Sequence, residues 1–322
     1  MAAWIWVVLG LVLLVVGAEL IVRYGALFAR RLGIPPLLSG LTIVSIGTST
    51  PELAVGIDAA RAGEGELALG NIAGTNIVNL LLILGLSAAL RAIPIGMQTL
   101  RLDLPMMGGV ALLVLIFSVD QVIDTWEGAV LVAVAVVYTL LVVRWARRES
   151  ARVVAEFEHE YSGAGVRDRG FLGIVLTVAM LILGLVIIIV GAQWLVDGAV
   201  DLAEAMGVSS AFIGLTIVAI GTSAPELATA VLSTFRGDRD IAIGNLIGSS
   251  TYNLTVILGI TVLVAPIVLE APLLMVDLPV MITATFVCGA FMMSGRVLTR
   301  IEGALMVAGY VGYLTYLIAV RT

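Results

Sequence analysis

Glu52 and Glu226 each stand directly behind a proline in sequence that is otherwise apolar. The first lies in the run Gly47-Thr48-Ser49-Thr50-Pro51-Glu52, the second in Gly221-Thr222-Ser223-Ala224-Pro225-Glu226. A proline inside a helix has no N–H and clashes with the carbonyl four residues back, so the carbonyl of Gly47 loses its helical partner. Thr48 and Glu52 are four apart and share a helix face, with Ser49 adjacent to it. Such a cluster can donate oxygens: a carboxylate, two hydroxyls and loosened backbone carbonyls, all presented twice. The bland alternative is a kinked packing helix whose small residues allow close approach. It leaves the two glutamates unexplained, because a charge at the centre of a bilayer costs about 2.5 kcal/mol or more and marks function.

A second pair of motifs follows each cluster. Asn71, Thr75 and Asn79 fall at i, i+4 and i+8 on one helical stripe, and Asn245, Ser249 and Asn253 repeat that spacing. These side chains either hydrogen-bond between helices or coordinate a hard cation without adding charge. For Asn71 and Asn245, in the first turn after Gly70 and Gly244, the interhelical bond is the better reading. Glu52 and Glu226 together bring up to four oxygens, and the Asn, Ser and Thr side chains bring more. Calcium takes about 6–8 oxygens in flexible geometry, whereas magnesium demands a tight octahedron. Neither motif holds a histidine or cysteine to favour a softer metal. Two carboxylates balance one divalent ion, so the set suits Ca2+, or Na+ ions in turn on the same oxygens.

The pairing of motifs extends along the whole chain. Residues 40–54 and 214–228 are identical at thirteen of fifteen positions, an offset of 174. The same offset relates Gly17-Ala18 to Gly191-Ala192, Gly74 to Gly248 and Asp103-Leu104-Pro105 to Asp277-Leu278-Pro279. Glu127-Gly128-Ala129 and Glu302-Gly303-Ala304 keep step at 175. The chain is two copies of one unit.

Those units belong in a membrane. Hydrophobic residues make up 61% of 322 positions and charged residues 12%, against about 25% charged in a soluble domain. A spanning helix needs about 20 apolar residues, and ten stretches qualify: 3–22, 36–60, 67–90, 104–119, 126–143, 171–195, 210–233, 241–263, 278–294 and 303–320. The expected fold is therefore an all-α polytopic membrane protein of two five-helix repeats, 1–143 and 171–322, with residues 144–170 as a charged connector. Because five is odd, the second repeat enters the bilayer with opposite polarity. Inverted repeats of this kind place a substrate site near the midplane on interrupted helices. All seventeen basic residues are arginine. With alternating loops, fifteen fall on the connector's side and only Arg61 and Arg321 on the other. The basic excess marks the cytoplasm, which puts the connector inside and both termini outside. The stretch after Met1 has no basic n-region or cleavage site and reads as the first span.

Other polar residues carry less. Lone Cys288 forms no intrachain disulfide, and lone His159 sits in the connector, which excludes an intramembrane histidine relay. Glu19 and Gln193 are repeat mates that read as snorkelling or capping groups, or as part of an ion route. Asp103 and Asp277 each precede Leu-Pro and read as helix N-caps.

In these residues the chain resembles the cation/calcium exchanger superfamily, whose signature is a pair of inverted alpha repeats. The matching runs are SIGTSTPE with GNIAGTNIVN in motif 40–86, and AIGTSAPE with GNLIGSSTYN in motif 214–260. Within the superfamily it is most similar to the prokaryotic sodium/calcium exchangers. The resemblance implies ion coordination by Glu52, Glu226, Thr48, Ser49, Thr222, Ser223, Thr75, Ser249, Asn79 and Asn253, and by the carbonyls of Ser45 and Ala219. It also implies that the first and sixth helices slide together against the other eight. Proton-coupled relatives tend to carry a glutamate where this chain has Gly74 and Gly248. Some relatives, including potassium-dependent ones, carry an aspartate at Asn253. The two departures favour Na+ over H+ and argue against K+ co-transport.

The function expected is secondary antiport of Ca2+ against Na+ across the plasma membrane, electrogenic, with Ca2+/H+ antiport as the alternative. An intramembrane hydrolase lacks a nucleophile–base pattern, and a channel needs no paired kinks around acids. No enzymatic activity, cofactor, nucleic acid or obligate protein partner is expected; the partners are Ca2+, Na+ and the lipid bilayer.

Overall fold

Backbone polar groups in a bilayer must be satisfied within the chain, which favours helices for every apolar stretch. The computed structural model is built almost wholly of helices and describes residues 3–32, 41, 44–63, 65–160, 170–206, 219–269 and 273–321. The first repeat runs α1 (Ala3–Leu32), α2 (Ser45–Thr48), α3 (Thr50–Ala62), α4 (Gly65–Ile77), α5 (Gly85–Leu90), β1 (Ile93–Pro94), α6 (Leu104–Phe117), β2 (Val122–Ile123) and α7 (Thr125–Glu160). The second runs α8 (Gly170–Ala205), α9 (Ala219–Thr222), α10 (Ala224–Arg236), α11 (Arg239–Tyr252), α12 (Leu258–Val264), β3 (Ile267–Val268), α13 (Leu278–Gly295), β4 (Val297–Leu298) and α14 (Arg300–Arg321). π-Helical turns, which the sequence pattern does not signal, join α4 to α5 at Val78–Leu84 and α11 to α12 at Asn253–Ile257. Others lead into α6 at Thr99–Asp103 and into α13 at Leu273–Asp277.

Among the described residues, eight helical segments are long and apolar enough to cross a membrane. The other two expected spans, 36–60 and 210–233, lie partly outside the described residues. Where described, each is a helix broken at one serine. Ser49 has φ −87° and ψ 9°, and Ser223 has φ −87° and ψ 8°. Pro51 and Pro225 open the helix that follows each break, where a missing N–H costs nothing.

The short strands tie the repeats together. β1 pairs antiparallel with β4, Ile93 opposite Leu298, and β2 pairs with β3, Ile123 opposite Ile267. Bonds of 2.8 Å from Ile95 N–H to Arg296 O and from Leu269 N–H to Gln121 O extend the two ladders. Exchanging the repeats turns one ladder into the other. β1 and β2 flank α6, so the two ladders sit at opposite ends of that helix. Gln121 and Arg296, which are repeat mates, both take positive φ, 67° and 56°, where the chain turns into β2 and β4.

The hydrophobic core is divided. One large cluster joins α4–α6 to α11–α13, including Leu69, Ile72, Ile77, Leu246, Ile247 and Met281. A separate cluster of Leu14, Ala18, Ile21, Ile188 and Ala192 lies between α1 and α8, with Val44 and Ala224 against it. Glycines bring the α1 and α8 backbones into contact. A Cβ on Gly10 would stand 2.5 Å from Leu195 N, one on Gly17 2.7 Å from Ile188 N, and one on Gly191 2.8 Å from Leu14 N. Overpacking costs about 1–3 kcal/mol, so Gly191→Ala is expected to lower the melting temperature of the detergent-solubilised protein. Gly289→Ala, with nothing within 4 Å of the new methyl, should not; equal melting of the two variants would contradict this packing.

Candidate functional site: a buried all-oxygen cluster

The break at Ser49 turns Glu52 inward from the first turn of α3, and the break at Ser223 does the same for Glu226 on α10. Both carboxylates are fully enclosed, at 1% and 0% exposure, and they lie close enough to interact with one another. Ser49 Oγ donates to Glu226 Oε1 at 3.3 Å, which links the two repeats directly. Thr48 and Ser249 also border the Glu226 carboxylate.

The remaining candidate residues are enclosed as well. Ser45, Thr48, Ser49, Ser223, Thr75, Asn79, Ser249 and Asn253 are all buried, and Thr222 is half-buried. Ala219 opens α9, the counterpart of Ser45 at the start of α2. Ser45 Oγ donates to Asn245 O at 2.9 Å and Thr48 Oγ1 to Asn245 Oδ1 at 3.3 Å, fixing α2 against α11. Gly248 makes this approach possible, since a Cβ there would lie 2.4 Å from Ser45 Oγ and 2.8 Å from Leu41 O.

Many polar atoms here lack partners. Both oxygens of Glu52, Oε2 of Glu226, both amide atoms of Asn79, Oδ1 of Asn253 and the hydroxyls of Ser223 and Ser249 are buried without a hydrogen bond. Buried polar groups are almost always paired, and an unpaired one is expensive in low dielectric. Glu52, Glu226 and Ser249 lie together, and their orphaned oxygens form a cradle with the chemistry of a hard-cation site. No group of three or more His, Cys, Asp or Glu occurs among the described residues, so the cradle's charge is set by two carboxylates.

Asn76 was not apparent from the stripe, since it falls between the i, i+4 positions. It is buried, its Oδ1 accepts from Asn253 Nδ2 at 3.5 Å, and its Nδ2 faces Met281 Sδ at 3.8 Å. Its signal in the sequence was an amide inside a stretch packed on both sides. Asn245 matches the interhelical reading through its bonds to Ser45 and Thr48. The reading of Asp103 and Asp277 as N-caps is corrected. Both have helical dihedrals and neither side chain caps its helix; instead Tyr138 donates to Asp103 at 3.1 Å and Tyr313 to Asp277 at 2.7 Å. The local Asp-Leu-Pro pattern signals a helix start, while the partner tyrosine lies 35 or 36 residues away. Glu19 is ion-paired with Arg236 at the end of α10, and Gln193 donates to Asp197.

The sequence profile of the sodium/calcium exchanger protein family matches residues 2–144 and 176–319. The chain is 38% identical over 261 residues to the inner membrane protein YrbG of Escherichia coli, covering 80% of this chain and 79% of that one. It is 29% identical over 337 residues to the sodium/calcium exchanger MaX1 of Methanosarcina acetivorans, covering 96% of each. Among solved structures it superimposes on the sodium–calcium exchanger NCX_Mj soaked with Na+ and Sr2+, with TM-score 0.83, 26% identity and 97% of each chain covered.

Proposed function

We propose, on the premise that the chain belongs to the sodium/calcium exchanger family, that this multi-pass membrane protein exchanges Ca2+ for Na+ across the plasma membrane by alternating access. The observation that carries the reading is the pair of facing carboxylates with three of their four oxygens unpartnered. Glu52 and Glu226 supply the charge for one Ca2+. Thr48, Ser49, Thr222, Ser223, Thr75, Ser249, Asn79 and Asn253, with the carbonyls of Ser45 and Ala219, complete the shell. Asn76 holds the Asn253 amide so that Oδ1 is the atom left free.

The same oxygens serve Na+ when Ca2+ has left. Gly74, Gly248 and Asn253 stand where an additional acid would mark other couplings, which favours Na+. The runner-up, Ca2+/H+ exchange, would load the protons on Glu52 and Glu226 themselves.

Ten crossings in two inverted repeats fit the observed loops. Inversion requires that exchanging the repeats also exchange the two faces of the membrane, and the β1–β4 and β2–β3 ladders exchange in that way. Arg91, Arg296 and Arg300 flank the first ladder, and Arg239 Nη1 donates to Ala92 O beside it at 3.3 Å. Asp120, Asp124 and Glu127 flank the second. The basic end is the cytoplasmic one. Accessibility mapping with single cysteines in a Cys288→Ser background is expected to label residues 144–170 from the cytoplasm and both termini from outside. A cytoplasmic N-terminus would remove the inversion.

The separate cluster between α1 and α8 suits a mobile pair. α1 and α8 touch backbone to backbone, and an apolar groove of about 630 Å³ lined by Leu14, Ala18, Leu195, Ala224 and Leu227 runs where they meet α10. Sliding the pair against the remaining helices would uncover the cradle to one side and then the other.

The deciding measurement is Ca2+ flux in proteoliposomes under a Na+ gradient, with the potential clamped by potassium and valinomycin. If three Na+ exchange for one Ca2+, as the resemblance suggests, two carboxylates neutralise the Ca2+ but leave the three Na+ with a net charge of +1. A charge moved across the bilayer is worth about 2.3 kcal/mol per 100 mV, so inside-negative potential should accelerate Na+-driven Ca2+ extrusion. Flux indifferent to potential would mean two-for-one exchange. Flux that ignores Na+ and follows a proton gradient would replace this reading with the runner-up.

A further inference from the structure

A second buried carboxylate, away from the central cradle, is left half-satisfied. Asp103, just ahead of α6, is 0% exposed. Its Oδ1 accepts the bond from Tyr138, while its Oδ2 has no partner. Gln98 and Thr99, 3% and 1% exposed, face the same carboxylate. Neither completes a hydrogen bond, and both amide atoms of Gln98 and the hydroxyl of Thr99 are orphaned. Leaving such groups unpaired in low dielectric is costly, and here they converge.

The second repeat provides an internal control. Tyr313 makes the corresponding bond to Asp277, but the positions matching Gln98 and Thr99 are Pro272 and Leu273. The amide and the hydroxyl are thus additions of the first copy, with no counterpart at the matching positions of the second. What they add is oxygen. One carboxylate, one amide oxygen and one hydroxyl make a hard donor set of single negative charge.

We propose that Asp103, Gln98 and Thr99 form a second cation site, separate from the exchange site and present in the first repeat only, for one monovalent alkali ion. Its place in the fold gives it a reach. Tyr138 lies with its ring 5.8 Å from that of Tyr252, and Thr139, its neighbour, shares a 2.8 Å hydroxyl bond with Tyr252. Tyr252 immediately precedes Asn253. An ion held by Asp103 braces α6 and α7 against the helix that supplies the exchange site with one of its oxygens.

The test uses the full chain in detergent with Glu52→Gln/Glu226→Gln as background, so that the charge of the exchange site is removed. Melting temperatures are compared in NaCl, KCl and choline chloride at equal ionic strength. The expected result is a higher melting temperature in Na+ or K+ than in choline. Gln98→Met/Thr99→Val, which gives the first copy the apolar character of the second, should bring that difference to zero while melting in choline stays near the background value. Asp103→Asn keeps an acceptor for Tyr138, removes the charge and should erase the difference as well. The proposal is overturned if the background shows no alkali-specific shift, or if the shift survives both variants.

Discussion

Ca2+ exchange is expected to fall to the level of empty liposomes in both Glu52→Gln and Glu226→Gln. At about 4 Å and an effective dielectric near 20, two unit charges are worth roughly 4 kcal/mol, so one carboxylate beside a divalent ion is worth at least that, roughly a thousandfold or more in affinity. Fold should be preserved, because both Glu52 oxygens and Glu226 Oε2 have no bond within the protein to lose. The check is 45Ca2+ uptake beside a melting curve for each variant. Wild-type exchange in either variant would detach the carboxylates from transport. Loss of exchange together with loss of the melting transition would leave a folding defect, and Glu52→Asp, which keeps the charge, would then be expected to restore the fold and part of the flux.

Gly248→Val should be nearly as severe, for a different reason. The added side chain meets Ser45 Oγ at 2.4 Å and the backbone of Leu41 at 2.8 Å, from its first carbon onward. Backbone cannot step aside as a flexible side chain can, so α2 must leave α11, breaking the Ser45–Asn245 bond and displacing Thr48 from Asn245. Transport is expected to drop at least tenfold, with a lowered melting temperature. Unchanged flux would mean that the α2–α11 contact is not part of the transport cycle.

Much of the candidate site was legible because the chain states it twice. A single Gly-Thr-Ser-Pro run is compatible with a kinked packing helix, whereas two runs with two glutamates select oxygen chemistry. The repeat offset also anticipated which elements would match, down to Ser49 and Ser223 with dihedrals that agree within a degree. Pairings across elements were not legible. Asp103 looks like a cap because Asp-Leu-Pro is a local signal, and Tyr138 reaches it only after α6 and α7 have packed. The sign that could have exposed it is that Tyr138 and Tyr313 stand 175 apart, in step with Glu127 and Glu302. Asn76 was hidden for a related reason, since helical periodicity ranks one face and Asn76 works on the flank. The π-helical turns have no composition of their own and arise from how the helices settle against one another.

The crossed strand pairing has an ancestral consequence. If the chain were cut at its connector, each half would keep one strand at either end with nothing beside it, because β1 and β2 find their partners only in the other copy. The natural complement of a lone first half is another first half turned end over end, β1 of each against β2 of its twin. Such a unit would have to settle in the bilayer both ways up in equal number. In the inverted topology proposed above, the arginines of the present chain end that freedom. Arg61 stands alone at the end of α3, while Arg236 and Arg239 crowd the matching turn after α10, and Gln121 in the first copy is Arg296 in the second. In that topology one architecture stands in the chain twice, and a handful of charges gives each copy its direction.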